Sequence, residues 1–326
     1  MAAVPPADRY VGIDVSKNTL DVYLLPQEQT FTAPNTAAGF TRIIDRLDDE
    51  VSTLVVVEAT GSYHLQLTIA LDAAGMTPAV INPNWIFHHA RSQGKRAKTD
   101  RGDARQLALY GQQHQLRPRP LLDATGRELA SLVARRADLV KIGAMEKARQ
   151  HTAAGAALTD IEHHIAYIDG RVKVLERSIR AVVAADPFWK RRVAILRSAP
   201  GIGPVLSVLL AVRLAELGVL DRRQIASLAG VAPHTQDSGA HRGRRVIGGG
   251  RRDVCKGLYQ GSVVMRTRNP PMRAHYEQLA ARGMEPKPAL IACARRMVGI
   301  LNAMVRDDLL WSETRVGQGA FMTPSP

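Results

Sequence analysis

Four acidic side chains in the first third of the chain are spaced so that they could hold metal ions. Asp14 and Glu58 each follow a run of apolar residues, and carboxylates at strand ends can converge across a sheet. Asp100 and Asp103 lie three positions apart at the start of a predicted helix, so both can point to one face. Four carboxylates would repel one another unless cations neutralised them, and their oxygens suit Mg²⁺ or Mn²⁺.

Such a site would carry out phosphate chemistry, because divalent ions can activate a nucleophile and stabilise a leaving oxygen. Simpler interpretations are that Asp100 and Asp103 cap a helix and that Asp14 belongs to a turn. Glu58 is harder to explain in that way, since an acid directly after three valines is costly to bury without a partner.

The composition favours an anionic partner. The 326 residues carry a formal net charge of +14 and a pI near 10.3, and nucleic acid is the commonest polyanion. A basic surface without a ligand is the alternative; no long apolar run or lipidation motif supports a membrane. Cys255 and Cys293 lie far apart, which argues against a zinc site or a disulfide framework. No secretory signal is visible, so we expect a reduced, cytoplasmic protein.

The segments that carry the acids form a predicted α/β domain that ends near Pro118 and Pro120. Residues 10–25 predict a strand hairpin, FTAPNT a third strand and TLVVV a strand buried on both faces. Next come residues with helical spacing, another strand in TPAVINP and a helix that is interrupted by SQGKRAKTDRGD. A β-meander followed by alternating helices and strands predicts a mixed sheet.

Residues 124–185 are predicted to be helical, and their second half carries a heptad pattern. Thr159 and Glu162 would form a capping box at its start. A hairpin within the chain and a coiled coil between subunits fit the pattern equally well. The seam consists of Ile161, Ile165, Ile168, Val172, Leu175, Ile179 and Val182.

Three further features predict contacts with phosphates. The Gly-Ile-Gly turn after residue 198 resembles a helix–hairpin–helix element, although such turns are also purely structural. Arginine binds phosphate bidentately and glycine allows close approach, so the loop around Gly248–Gly250 is either a nucleic-acid contact or a solvated basic loop. Its basic residues are His241, Arg242, Arg244, Arg245, Arg251 and Arg252. A second set near the acids would position phosphates: Lys17, Lys95, Arg96, Lys98 and Arg101.

The motifs around the acids resemble a known family. They are GIDVSK at 12–17, VEATGSY at 57–63, INPN at 81–84 and KTDRGDARQLA at 98–108. They closely resemble the DEDD-type transposases of bacterial insertion sequences, also known as bridge-RNA-guided recombinases, whose first domain is similar to the RuvC Holliday-junction resolvase. The resemblance implies that the family's acidic metal-binding tetrad corresponds to Asp14, Glu58, Asp100 and Asp103.

The second half resembles the same family in SAPGIGPVLSVLLA at 198–211 and LAGVAPHTQDSGAHRGRR at 228–245. In that family the serine of a Ser-Gly pair attacks the DNA backbone, and the pair corresponds to Ser238 and Gly239. A serine hydroxyl is a poor nucleophile until its proton is removed, and the resemblance implies that metal held by the tetrad assists. The chain lacks the lysine that the family usually carries near the Gly-Gly turn, so individual DNA contacts do not transfer there.

The resemblance implies three parts. They are a ribonuclease-H-like, RuvC-like α/β catalytic domain (8–117), a helical coiled-coil segment for oligomerisation (124–190) and a mainly helical C-terminal transposase domain (195–305). The implied activity is RNA-guided cleavage, exchange and religation of donor and target DNA duplexes, with a structured non-coding RNA as guide. A homo-oligomer, dimer to tetramer, would act at the nucleoid in the bacterial cytoplasm, without a membrane.

Three other functions fit parts of the pattern. A RuvC-like, structure-specific nuclease would use water instead of Ser238. A non-catalytic RNA- or DNA-binding protein is compatible with the composition. An actin-like kinase would start with the same strand hairpin, but it requires phosphate loops that the basic segment around Gly248–Gly250 matches poorly.

Overall fold

The computed structural model describes residues 7–47, 51–59, 63–92, 100–114, 116, 118, 121–234 and 246–312. The chain divides into two compact units, Met1–Leu121 and Leu122–Pro326.

The first unit is built on a five-stranded mixed sheet with the order β3-β2-β1-β4-β5. Strands β1, β2 and β3 form an antiparallel meander, whereas β1, β4 and β5 run parallel. The predicted mixed sheet is therefore confirmed. The strands are β1 (Arg9–Val15), β2 (Thr19–Leu25), β3 (Gln29–Pro34), β4 (Thr53–Glu58) and β5 (Ala79–Ile81).

Helices cover the two faces of this sheet. The larger core lies on one face, where Phe40 and Ile43 of α1 and Leu67 and Leu71 of α2 cluster with apolar residues of the strands. On the other face, α4 packs through buried Ala104, Leu107 and Ala108. The helices of this unit are α1 (Ala37–Leu47), α2 (Leu65–Ala73), α3 (Pro83–Ser92) and α4 (Asp100–Gln113).

The second unit begins with a hairpin of two long helices, α5 (Ala124–Gln150) and α6 (Gly155–Ala185). The predicted helical region 124–185 therefore consists of two helices, because the chain reverses at residues 151–154, just before Gly155 with its positive φ of 57°. The predicted capping box at Thr159 is wrong, since α6 begins four residues earlier. Within the chain, Arg136 and Glu176 pair across the hairpin at 2.7 Å.

The heptad seam of α6 faces α5 within the hairpin. Ile168 is buried and its Cγ2 atom would lie 3.3 Å from a Cβ atom at Gly143 of α5. Most other seam residues stay half-buried. The hairpin interpretation therefore accounts for the pattern within one chain, and a coiled coil between subunits stays a prediction.

The rest of the second unit is a helical core with a short two-stranded ladder. Its helices are α7 (Pro187–Ser198), α8 (Pro204–Arg213), α9 (Arg222–Leu228), α10 (Arg252–Arg268), α11 (Pro270–Ala281) and α12 (Pro286–Arg306), and its strands are β6 (Pro233–His234) and β7 (Val246–Ile247). In the described part of the chain, only α12 has the length and apolar composition of a membrane span. Its most apolar stretch is 67% buried in the protein, as expected of a core helix.

Candidate functional site

Asp14 and Glu58 lie on one face of two neighbouring strands. Ile13 pairs with Val57 in the parallel β1–β4 ladder, and the next residue on each strand is one of the two acids. Side chains alternate between the faces of a strand. Because Ile13 and Val57 belong to the core under α1 and α2, the two acids lie on the opposite face. Both are half-buried at the carboxyl ends of their strands.

Helix α4 covers that same face because glycine and alanine allow it to approach the sheet closely. A Cβ atom at Gly12 would lie 2.0 Å from the carbonyl oxygen of Ala104 and 2.5 Å from the amide nitrogen of Ala108. A Cβ atom at Gly111, one turn further, would lie 3.5 Å from the ring of Tyr10 near the amino end of β1. Helix α4 therefore runs antiparallel to β1, and its first turn lies at the carboxyl ends of β1 and β4.

The first turn of α4 carries the other two predicted acids. Asp100 begins the helix and Asp103 is half-buried on it. A helix N-terminus favours carboxylates, because its free N–H groups carry partial positive charge. The structure thus brings the strand ends and the helix turn that carry the four acids to one edge of the sheet. We call this edge, with Asp14, Glu58, Asp100 and Asp103, the acidic edge.

The acidic edge has the donor chemistry of a Mg²⁺ or Mn²⁺ site, since carboxylates on separate elements supply hard oxygen ligands. Among the described side chains, however, no three His, Cys, Asp or Glu residues form a group that could hold a metal ion. The side chain of Asp100 lies outside the described part of the chain. The donor set is therefore suitable, and no coordination geometry follows from it.

Asp21 adds a further carboxylate that the motif spacing does not single out. It pairs directly with Asp14 in the antiparallel β1–β2 ladder, so the two side chains share a face about 5 Å apart at Cβ. The Thr32 hydroxyl donates a hydrogen bond of 2.7 Å to Asp21 Oδ1. The alternation of side chains along β2 is the sequence signal that could have revealed Asp21. It places Asp21 on the same face as Tyr23, which packs against α4.

Asn35 ties together the loops that leave the strands at this edge. Its Nδ2 atom donates to the Ser16 carbonyl oxygen at 2.8 Å and to the Tyr63 carbonyl oxygen at 3.2 Å. Ser16 follows β1 and Tyr63 lies five residues after Glu58, so one side chain links the segments that leave both acid-bearing strands. Its role depends on contacts distant in sequence, which no local motif encodes.

In the second unit, a short ladder and a glycine contact form the base of the predicted serine loop. Strands β6 and β7 pair on either side of residues 235–245, and His234 Nε2 lies 3.2 Å from the Gly248 carbonyl oxygen. A Cβ atom at Gly250 would lie 2.3 Å from the amide nitrogen of Gly230. Only glycine fits this contact. Packing within the unit therefore explains why residue 250 is a glycine, and no bound ligand is needed to explain it.

Arg251 is engaged within the second unit. Its guanidinium donates two hydrogen bonds of 2.7 Å to the carboxylate of Glu216, which is 4% exposed, and a third to the Arg213 carbonyl oxygen. Its backbone amide donates to the Leu228 carbonyl oxygen at 2.9 Å. These bonds hold the Arg251 side chain within the unit, where it anchors the base of the loop. They therefore argue against the predicted contact of Arg251 with nucleic acid.

The thiol beside this base is not activated. Cys255 Sγ donates to the Gly230 carbonyl oxygen at 3.3 Å, and burial raises the pKa of Cys255 above its usual value. A nucleophilic cysteine instead needs a lowered pKa. Cys255 is therefore a packing residue and not a competing nucleophile.

The other predicted contacts divide into two groups. Lys17 is exposed in the turn between β1 and β2, Arg252 is exposed at the start of α10, and Arg101 lies in the first turn of α4. The remaining predictions lie outside the described residues: Ser238, His241, Arg242, Arg244, Arg245, Lys95, Arg96 and Lys98.

Two family models match the chain, one over the first unit and the start of the second, the other within the second unit. A model of DEDD-type transposases of the IS110 kind matches residues 11–159, and a model described as "Transposase IS116/IS110/IS902 family" matches residues 193–277. The chain belongs to the DEDD-type transposases. The first match contains the acidic edge, and the second contains the predicted serine loop.

Relatives of this transposase come from several bacteria. The pilin gene-inverting protein of Moraxella bovis is 26% identical over 92% of this chain and 96% of its own length. An uncharacterized protein of the insertion element IS116 from Streptomyces clavuligerus is 32% identical over 55% of this chain and 46% of its own length. An uncharacterized IS900 protein of Mycobacterium paratuberculosis is 27% identical over 60% of this chain and 51% of its own length.

Proposed function

We propose that this transposase cuts, exchanges and rejoins DNA strands, with the acids of the acidic edge and Ser238 as its catalytic residues. The observation that carries the proposal is the equivalent placement of Asp14 and Glu58 on adjacent parallel strands, beneath the first turn of α4. Family membership supplies DNA as the substrate class. The Moraxella bovis relative is named for inversion of a pilin gene, which also supports an activity that rejoins the strands it cuts.

The acidic edge would hold Mg²⁺ or Mn²⁺ through Asp14, Glu58, Asp100 and Asp103. A divalent ion bound there would supply Lewis-acid polarisation of a phosphate oxygen. The carboxylates themselves would supply oxygen ligands and offset the charge of the ion. Lys17 and Arg101, with Lys95, Arg96 and Lys98 next to the tetrad motif, would neutralise the neighbouring phosphates and hold the strand in place.

In the proposed chemical step, Ser238 Oγ attacks the phosphorus of a DNA phosphodiester. A phosphoserine ester forms, the bond from phosphorus to the departing deoxyribose oxygen breaks, and that oxygen gains the proton that the serine loses. A deoxyribose hydroxyl of the exchanged strand then attacks the ester and releases the serine. One ester replaces another at each stage, so no nucleotide is consumed. Arg242, Arg244, Arg245 and Arg252 would stabilise charge on the phosphate.

The choice of site would be delegated to a structured guide RNA, as the family resemblance implies. Joining donor and target duplexes requires several subunits, and the α5–α6 hairpin is the proposed element of contact between them. The protein would act at the nucleoid in the bacterial cytoplasm.

The second candidate function is a structure-specific nuclease, which the location of the acidic edge in the first unit favours. Water would then replace Ser238. A plasmid assay with the element ends, target DNA and flanking RNA separates the two. Rejoined products that require Mg²⁺, and disappear with EDTA or ribonuclease, are expected of the recombinase. Nicked or linear products without joining would contradict it.

A further inference from the structure

Outside the proposed active site, a groove of about 530 Å³ lies between α6, α7 and α8 of the second unit. Helix α7 forms one wall, with its lining residues spaced on one helical face, and the ends of α6 and α8 complete it. The lining residues are Arg180, Val183, Ala184, Lys190, Val193, Ala194, Arg197, Ser198, Pro204, Ser207 and Val208. We call this the α6–α8 groove. Among the residues that the structure describes, no acidic side chain lines it.

The polar groups of the groove floor are satisfied within the fold. The Ser198 hydroxyl donates to the Ile195 carbonyl oxygen at 2.7 Å and accepts from the Trp311 amide at 2.9 Å. The Ser207 hydroxyl donates to the Pro204 carbonyl oxygen at 3.0 Å. The two hydroxyl groups of the floor therefore already have hydrogen-bond partners. A ligand would be recognised mainly by the side chains at the rim of the groove.

Three cations form that rim without a partner among the described residues: Arg180, Lys190 and Arg197 are exposed and make neither an ion pair nor a side-chain hydrogen bond there. Lys190 and Arg197 lie seven positions apart on α7, which is about 10 Å along the helix, or the axial rise of about three nucleotides of one strand. Three unpaired positive charges around an apolar floor suit a chain of phosphates joined by sugars.

We propose that the α6–α8 groove holds the backbone of one strand of duplex DNA. This inference rests on the proposed action on DNA, but not on the metal ion or on Ser238. Charge complementarity selects the occupant, because the rim is wholly cationic in a chain of net charge +14. The contacts are to phosphates and apolar sugar faces, so the groove orients DNA without reading its sequence.

The test compares two variants that remove the same number of positive charges. The groove variant carries Arg180→Gln, Lys190→Gln and Arg197→Gln. The control variant carries Lys141→Gln, Arg171→Gln and Lys287→Gln, three exposed positions outside the groove. Fluorescence anisotropy with a labelled duplex of arbitrary sequence gives the association constant from 50 to 300 mM salt. Each lost phosphate contact lowers the slope of log K against log salt by about 0.9, so the groove variant loses about 2 to 3 and the control clearly less.

A substitution that leaves the net charge unchanged tests whether the open space of the groove is needed for DNA binding. Ala194→Trp would fill the exposed floor and is expected to weaken binding several-fold, whereas Ala280→Trp on the exposed face of α11 leaves it unchanged. Equal slopes for the two charge variants contradict the groove. A groove variant that loses affinity for an RNA hairpin or an acidic peptide but not for the duplex contradicts DNA as the occupant. A wild-type chain that does not bind duplex DNA contradicts the proposed function as well.

Discussion

Asp14 and Glu58 occupy equivalent positions on two neighbouring parallel strands, each one residue beyond the Ile13–Val57 pair of the β1–β4 ladder. Two half-buried carboxylates side by side on one face repel each other, and Asp21 opposite Asp14 adds to the negative charge. Clustered carboxylates of this kind are the ligands that the proposed Mg²⁺ or Mn²⁺ site requires.

Replacement of either acid should abolish strand exchange without unfolding the protein. We expect Asp14→Asn and Glu58→Gln to lower the recombination rate by at least about 10²-fold, since each removes charge stabilisation at the reacting phosphate. Both variants should keep a cooperative unfolding transition, because the two acids are half-buried at the ends of their strands and do not belong to the apolar core. Asp45→Asn, at an exposed position of α1, is the matched control. Strand exchange by Asp14→Asn at the wild-type rate would contradict a catalytic role for the acidic edge.

Gly12 should be essential for the position of α4. A methyl group there would lie 2.0 Å from the Ala104 carbonyl oxygen, so Gly12→Ala should cost about 1–3 kcal/mol of unfolding free energy and lower recombination as well. Gly170→Ala in α6 meets no atom within 4 Å and should be neutral or slightly stabilising, because alanine favours helix. Chemical denaturation measures both; equal effects would mean that α4 does not pack on Gly12 as described.

The N-terminal fold could be predicted from local patterns, because its strands and helices carry clear periodicity and the acids stand at strand ends. Asp21 and Asn35 could not, since their importance arises from pairing across β1–β2 and from bonds between three distant loops. The reversal at residues 151–154 is hidden for another reason. Its alanines favour helix, so only Gly155 marks the turn.

The Glu216–Arg251 pair should contribute strongly to the stability of the second unit. Removal of one partner leaves a mostly buried charge, so Glu216→Gln should lower the unfolding free energy by about 3 kcal/mol. Asp253→Asn breaks the more exposed Arg213–Asp253 pair and should cost less than about 1 kcal/mol. Urea unfolding of both variants measures the difference. Similar small costs would restore Arg251 as a residue free to contact DNA.

That pair also shows why the basic loop misleads a prediction from sequence. Six basic residues surround three glycines, and nothing local separates Arg251 from the others. Glu216 lies 35 positions earlier, so only the folded chain reveals that this arginine holds the base of the loop.

His275 should make the protein less stable in mild acid. Burial, and then the charges of Arg296, Arg295 and Arg282, lower the pKa of His275 below its usual 6.5. The unfolded state therefore binds the proton more readily, and this contribution to stability, complete above about pH 6.5, is lost as the pH falls towards the folded-state pKa. Melting temperatures from pH 8 to 5 should fall less for His275→Gln than for wild type. Exposed His163→Gln is the control, and parallel curves for His275→Gln would contradict the prediction.

The covalent link between protein and DNA tests the proposed mechanism most directly. Protein, guide RNA and both duplexes are incubated with Mg²⁺, denatured and separated, and the modified peptide is identified by mass spectrometry. Wild type should give a phosphoserine–DNA adduct at Ser238, while Ser238→Ala and Asp14→Asn should give neither adduct nor cleavage. Cleavage by Ser238→Ala at the wild-type rate, with no adduct in any sample, would contradict the serine mechanism and favour a nuclease that uses water.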